Sequence, residues 1–141
     1  MRTHSANEEY EYLWRHFAFN AEQRLKGFNF FVVLAVFADG GVFTALEQKA
    51  HSVVLLLLGS FVAVLAIVFW LIDCRSQALI ALAVPGLEQY ESHFPEQSRV
   101  FGNDKPGLLA RYTTAFHLLF VLQFLFGLGV LAYALRRFGL I

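Results

Sequence analysis

The residues of this sequence that are best placed to do chemistry lie inside long apolar runs. Asp39, Ser60 and Gln123 each interrupt such a run, and His117 lies near the start of the third one. Polar and ionisable groups at such positions are costly inside a bilayer unless they are paired or hydrated. With a helical rise of about 1.5 Å per residue, the first three lie at a similar depth, roughly 16 to 18 Å from one end of their runs. We therefore expect a polar layer near the middle of a membrane.

This layer has two interpretations. It lines a hydrated path through an oligomer, or it is a clamp of hydrogen bonds between helices, worth about 0.6–2 kcal/mol per bond. The clamp is favoured for Ser60 and Gln123, whereas for Asp39 a functional role and a position at a wet break in the helix both stay open. Histidine titrates near neutral pH. His117 lies about 7 Å into its run, however, where a hydrogen bond to a neighbouring helix is favoured.

A second pattern involves Arg111 and His117, which match the loose R-x(4–6)-H spacing of HEPN ribonucleases. Those residues act on a solvated helix pair, whereas His117 lies inside an apolar run, so a chance match is the favoured interpretation. The other histidines lack the spacing of metal ligands, and the sequence has no P-loop, G-x-S-x-G or C-x-x-C motif. The sequence therefore predicts a protein that is not an enzyme and that uses neither a metal nor a cofactor.

The elements that hold these residues are three apolar runs. A helix needs about 20 residues to cross a hydrocarbon core about 30 Å thick, and the runs 28–46, 52–72 and 112–135 meet that length. The chain of 141 residues is 57% hydrophobic and only 16% charged, against about 25% charged residues in a soluble domain. This composition excludes a single soluble enzyme domain and predicts an all-α integral membrane protein with three transmembrane helices.

Cysteine and charge content narrow the class further. The single cysteine, Cys74, excludes a disulfide-stapled secreted domain, and 11 basic residues balance 11 acidic ones, so we expect no direct contact with nucleic acid. No signal-peptide pattern precedes the first run, which is therefore expected to stay in the mature protein. The distribution of Lys and Arg in short loops places the N-terminus and the loop before the third run in the cytoplasm. The Arg136-Arg137 pair mildly opposes that orientation.

The first run contains helix breakers near its centre. Asp39 is followed by Gly40 and Gly41, and glycine pairs are turn signals. The favoured interpretation is one intact helix over 28–46, which inserts into the membrane because it packs against the neighbouring spans. In the alternative, the helix starts near Ala21, ends at Ala38 and is followed by a turn.

Two polar segments repeat apolar residues at helical spacing, so we expect two amphipathic interfacial or cytoplasmic helices. Ser5 and Glu8 form an S-x-x-E capping box at the start of the first. The second is expected to kink or restart at Pro85, to end at Pro95 and to lead into a loop over 96–107. The aromatic residues on the two stripes suit a membrane–water interface or a partner helix, and both interpretations stay open. These residues are Tyr10, Trp14, Phe17, Tyr90 and Phe94.

The chain thus divides into four predicted segments, and its polar part is too small for a separate domain with its own core. They are an amphipathic helix at 1–27, a hairpin of two spans at 28–72, a second amphipathic helix with its loop at 73–111, and the third span with a short tail at 112–141.

The segment EYLWRHFAFNAEQRLKGFNFFVVLAVFADGGVFTAL resembles small bacterial membrane effectors of anti-phage defence, of the SLATT type. Its aromatic and histidine-bearing amphipathic helix precedes a span that ends in small residues and VF. The likeness covers about the first half of the chain, and the third span departs from the two-span pattern. The R-x5-H spacing of Arg111 and His117 is similar to that of membrane accessory proteins of RNA-targeting CRISPR systems. The resemblance implies a protein of the bacterial inner membrane that self-assembles and permeabilises or depolarises the membrane when a partner senses infection.

Two functional hypotheses follow. The first is a homo-oligomeric pore or channel-like effector, because one copy with three spans cannot enclose a water path. The alternative is a non-conducting membrane anchor that recruits a cytoplasmic protein partner through its amphipathic helices. An intramembrane enzyme is disfavoured, since Asp39 and His117 differ in depth by about 9 Å and make a poor catalytic pair.

Overall fold

The structure is a computed structural model that describes the backbone of residues 6–103 and 107–139, and the side chains of 7–103 and 113–139. Helices fill most of these residues, and no strand occurs among them. Three of the helices are long and apolar enough to cross a membrane, which agrees with the predicted all-α class. The elements are α1 (Ala6–Glu47), α2 (Ser52–Glu91), a 3₁₀ turn (Glu96–Ser98), α3 (Val100–Asn103) and α4 (Gly107–Arg137).

Helix α1 is continuous over 42 residues, so the prediction of an intact helix through Asp39, Gly40 and Gly41 is confirmed. The alternative turn after Ala38 is wrong. A glycine inside a helix costs about 1 kcal/mol, which the packing of the surrounding residues against α2 offsets, since Ala38 and Val42 are buried. The first amphipathic segment is not a separate helix but the N-terminal part of α1.

Helix α2 is likewise continuous over 40 residues and passes through Pro85 without restarting. A proline inside a helix removes one hydrogen bond and crowds the preceding turn. Packing against α1 keeps the two parts in one helix: Ala83 and Leu87 are buried on either side, and Leu13 of α1 packs against Gly86. The second amphipathic segment is therefore the C-terminal part of α2.

The expected loop over 96–107 contains a 3₁₀ turn and the short helix α3. The buried carboxylate of Glu91 holds α3 in place, because its Oε2 accepts a hydrogen bond from the backbone N–H of Phe101 at 2.8 Å. Pro95 follows the end of α2 at Glu91, four residues earlier than predicted. Ser5 of the predicted capping box and residues 104–106 of the predicted loop lie outside the described residues.

Helix α2 runs antiparallel to α1 on one side and to α4 on the other. At the middle of the bundle the backbones of α2 and α4 touch, because a Cβ atom on Gly127 would lie 2.7 Å from the backbone nitrogen of Ala63. Small residues on both helices thus permit the close approach that is typical of membrane helices. Helices α1 and α4 meet instead through large rings, such as Phe28 and Phe116, which stack 3.7 Å apart.

Polar side chains mark both ends of the apolar length of the bundle. At one end, here called the Arg24 end, Arg24 of α1 contacts Asp73 of α2. At the other, the Arg137 end, Arg137 donates to the carbonyl oxygen of Ala50 at 2.9 Å. The helical rise puts about 32 Å between Ser52 and Asp73 along α2. Beyond the Arg24 end, residues 7–23 of α1 and 74–91 of α2 form an antiparallel stalk.

Candidate functional site

A hydrogen bond between two side chains joins α1 to α4 within the apolar length of the bundle. The side-chain amide Nε2 of Gln123 on α4 donates to Oδ1 of Asp39 on α1 at 2.6 Å. Both residues are half-buried. Phe43 and Phe126, each about one turn further along its helix, have ring centroids 5.9 Å apart. The pair therefore joins α1 to α4 inside apolar surroundings, and part of its polar surface is not covered by this chain.

An open apolar groove between α1 and α4, called here the α1/α4 groove, begins at Phe126, about one helical turn from the pair toward the Arg137 end. The groove has a volume of about 540 Å³. A side chain added at Gly129 would meet nothing within 4 Å. The groove is thus a wide, open apolar face about one turn beyond the pair. Its lining residues are Leu46, Phe126, Gly129, Val130 and Tyr133.

A second polar group, the Arg24 cluster, lies at the Arg24 end and comprises Arg24, Asp73, Gln77, Thr113 and His117. Its centre is an ion pair, with Arg24 Nε 2.6 Å from Asp73 Oδ1 and Nη2 3.3 Å from Oδ2. The Arg24 and Asp73 side chains are only 9% and 5% exposed. A buried pair with two contacts satisfies both charges where water does not.

The other members of the Arg24 cluster attach a third helix to this pair. Thr113 Oγ1 on α4 accepts a hydrogen bond from Arg24 Nη2 at 3.0 Å. Gln77 Nε2 donates to Asp73 Oδ2 at 2.5 Å and lies 3.3 Å from His117 Nε2, which in turn is 3.5 Å from Asp73 Oδ2. The cluster therefore joins α1, α2 and α4.

The predicted polar layer divides into separate places. Asp39 and Gln123 come together, whereas Ser60 is exposed on α2 and His117 belongs to the Arg24 cluster. Depth alone does not determine the direction in which a helical residue points. Gly59 contacts α4, and Ser60, about 100° further around α2, points outward. The hydrogen-bonded clamp expected for Gln123 is present, and Ser60 is not part of it.

Sequence reasoning did not single out four members of the Arg24 cluster, namely Arg24, Asp73, Gln77 and Thr113. Two signals pointed to them. Charged residues lie directly at the ends of the apolar runs, and Asp73 and Gln77 have the i, i+4 spacing that brings side chains together. The side chain of Arg111 lies outside the described residues, so its pairing with His117 stays a prediction.

The aromatic stripes of the two amphipathic segments face each other in the stalk. Tyr10 stacks on Tyr90 with ring centroids 4.3 Å apart, and Tyr90 meets Phe94 edge to face at 5.5 Å. Phe17 contacts Phe101 of α3 at 5.1 Å. Much of the predicted partner surface therefore packs within the chain, although Trp14 stays 44% exposed.

Fold and polar sites together define an all-helical protein with three helices of membrane-spanning length. Among the described residues, no group of three His, Cys, Asp or Glu side chains is placed to hold a metal ion.

The chain is similar to CD-NTase-associated protein 19 of Escherichia coli, with 32% identity over 96 residues. The match covers 67% of this chain and 64% of that protein, slightly less than two thirds of the relative's length. No family model and no solved structure matches the chain.

Proposed function

We propose that this protein is a homo-oligomeric effector of the bacterial inner membrane that forms a pore or channel-like path in anti-phage defence. The similarity to a CD-NTase-associated protein supports the link to anti-phage (CBASS) defence. The SLATT and CRISPR resemblances named the same broad role, and their specific assignments stay predictions.

Insertion into a membrane is supported by the two polar ends of the bundle. The distance of about 32 Å along α2 between Ser52 and Asp73 matches a hydrocarbon core of about 30 Å. Between those ends the outer surface is apolar, with Val36, Phe37 and Leu57 exposed. In the proposed orientation the stalk lies in the cytoplasm and the Arg137 end lies outside.

The observation that carries the proposal is the half-buried Asp39–Gln123 pair, about one helical turn from the α1/α4 groove. A carboxylate at this depth is costly unless water or another polar group reaches it. One chain leaves the pair partly open, and lipid tails offer it no hydrogen bond. An oligomer that turns the grooves of its subunits inward gives Asp39 a water-filled path, and the carboxylates then favour cations.

Flux through liposomes tests this role. The Asp39→Leu variant should lower cation flux by at least about tenfold, because rings of acidic side chains select cations in channels, while its oligomeric mass stays unchanged. Asp39→Asn should lower cation preference more than total flux. Ser60→Ala is the matched control, because Ser60 is a polar residue of the same bundle that faces outward. Wild-type flux in both Asp39 variants would exclude the proposed role of the groove.

A non-conducting membrane anchor is the second candidate, favoured by the exposed aromatic residues of the stalk. Tyr12 is 69% exposed and Phe19 is 60% exposed, one heptad apart on the same face of α1. If the protein is an anchor, Tyr12→Ser with Phe19→Ser should abolish co-purification of a co-expressed CD-NTase, and the purified wild-type protein should not conduct. Retained co-purification together with flux in liposomes would favour the pore.

A further inference from the structure

Helices α1 and α2 are held together along their whole length, including the stalk. Tyr10 stacks on Tyr90 near the tip of the stalk. Further down, the His16 ring nitrogen Nε2 donates to the carbonyl oxygen of Leu79 at 3.1 Å. Contacts of this kind continue into the apolar length, where Val42 and Leu55 are fully buried in one cluster. The two helices therefore behave as one body.

Helix α4 is held differently at its two ends. In the middle, the backbone of Gly127 lies against Ala63 and Gly59 with no room for a Cβ atom. At the Arg137 end, Arg137 donates to the carbonyl oxygens of Ala50 and Lys49. The Gly127 contact is backbone against backbone, so α4 cannot leave α2 there without opening a close-packed contact. The Arg137 bonds come from a side chain and tie the end of α4 to the loop between α1 and α2. Together these contacts make the Gly127 region a natural pivot.

At the Arg24 end, side chains hold α4. The rings of Phe116 and Phe120 pack on those of Phe28 and Phe31, and the polar side chains converge on the Arg24–Asp73 pair. Thr113 accepts one hydrogen bond from Arg24, and the Arg24 guanidinium lies over the Phe116 ring at 5.1 Å. His117 is 3.3 Å from Gln77 and 3.5 Å from Asp73, which is long for a hydrogen bond. The ion pair belongs to α1 and α2, so α4 can move away without separating the two charges.

We infer that the Arg24 cluster is a latch on α4. In the latched state, the polar side chains of Thr113 and His117 lie against the Arg24–Asp73 pair and Gln77. In the released state, the Arg24 end of α4 swings away from α1 about the Gly127 contact, while α1 and α2 stay together. This movement widens the gap between α1 and α4 at Asp39 and Gln123. Its consequence for conduction rests on the proposed function, whereas the movement itself does not.

The rate of cross-linking between α1 and α4 reports whether the latch is closed, and its measurement does not depend on ion conduction. Phe28→Cys and Phe116→Cys, in a Cys74→Ser background, replace two stacked rings on α1 and α4. A short, reductively cleavable bis-maleimide should link them within one chain of the purified full-length protein. Thr113→Val, which keeps the ion pair and the side-chain shape, should slow the linking about threefold, and Asp73→Asn should slow it at least about tenfold. Glu22→Gln, which breaks an exposed ion pair on α1, is the matched control and should leave the rate unchanged.

Two results would overturn the latch. One is an unchanged linking rate in both Thr113→Val and Asp73→Asn. The other is a linked protein that conducts as well as the unlinked one, since the latch predicts that linking abolishes flux and that cleaving the linker restores it. If the linking rates change as expected but the wild-type protein does not conduct, the latch stands and the proposed pore fails. If Asp73→Asn does not fold, the linking rate of Thr113→Val alone decides whether the latch exists.

Discussion

The bundle contains two polar sites that differ in how their charge is balanced. In the Arg24 cluster, the buried carboxylate of Asp73 is neutralised by the Arg24 guanidinium, which contacts both of its oxygens. The side-chain amide of Gln77 also donates to this carboxylate. At the second site, next to the α1/α4 groove, Asp39 receives a hydrogen bond from the amide of Gln123, and both residues are half-buried. A balanced, enclosed pair suits a role in holding helices together. A carboxylate paired with a neutral amide beside an open groove suits a role that involves water, ions or another subunit.

The largest expected loss of stability follows from a substitution in the Arg24 cluster, where the charges are balanced. Replacing Asp73 by Asn leaves the Arg24 guanidinium buried without its counter-charge, which should lower the free energy of unfolding by about 3–5 kcal/mol. Unfolding in mixed micelles with increasing SDS measures this loss. Asp39→Asn is the matched comparison, because it changes one carboxylate to an amide at the open site and should cost far less. Equal losses in the two variants would remove the distinction between the sites.

A second prediction concerns the pivot between α2 and α4. Gly127→Ala places a Cβ atom 2.7 Å from the backbone nitrogen of Ala63, so the helices must separate, at a cost of about 1–3 kcal/mol in unfolding free energy. Gly129→Ala, two residues away on the same helix, meets open space and should stay within about 0.5 kcal/mol of the wild type. A similar change in both variants would show that the close backbone contact at Gly127 does not decide the stability, because both substitutions alter helix propensity in the same, favourable direction.

The smallest expected effect on stability is at the open site. Gln123→Leu removes the hydrogen bond to Asp39 and should lower the unfolding free energy by about 0.6 kcal/mol, the average for a polar contact between membrane helices. The same variant should nevertheless change cation flux, because Asp39 loses its partner. A large loss of stability with unchanged flux would assign the Asp39–Gln123 pair to structure alone.

Much of the fold could be predicted because apolar length is a strong local signal. Three runs of membrane-spanning length predicted the three long helices, and the intact helix through Asp39 followed from the same argument. Continuity was harder to foresee. The first amphipathic segment continues into the first span without a break. Helix α2 passes through Pro85, and the next residue, Gly86, packs against Leu13, 73 positions away in the chain.

The sites were only partly predictable for a similar reason. Asp39 and Gln123 stood out because each interrupts an apolar run, and their shared depth predicted one polar layer without saying which of its residues meet. Ser60 shares that depth but points outward, since depth does not specify the face of a helix. Arg24 and Asp73 are 49 positions apart, and neither looked unusual at the polar edge of its run. Their pairing is a consequence of tertiary packing.

The most direct test of the central claim is the mass of the purified protein in mild detergent, measured by light scattering with the detergent contribution subtracted. The proposed pore predicts an assembly of about four or more copies of the 16.0 kDa chain, because a continuous lumen needs several three-helix subunits around one axis. A monomer or dimer at all protein concentrations would contradict a self-assembled pore and leave the membrane anchor as the better account.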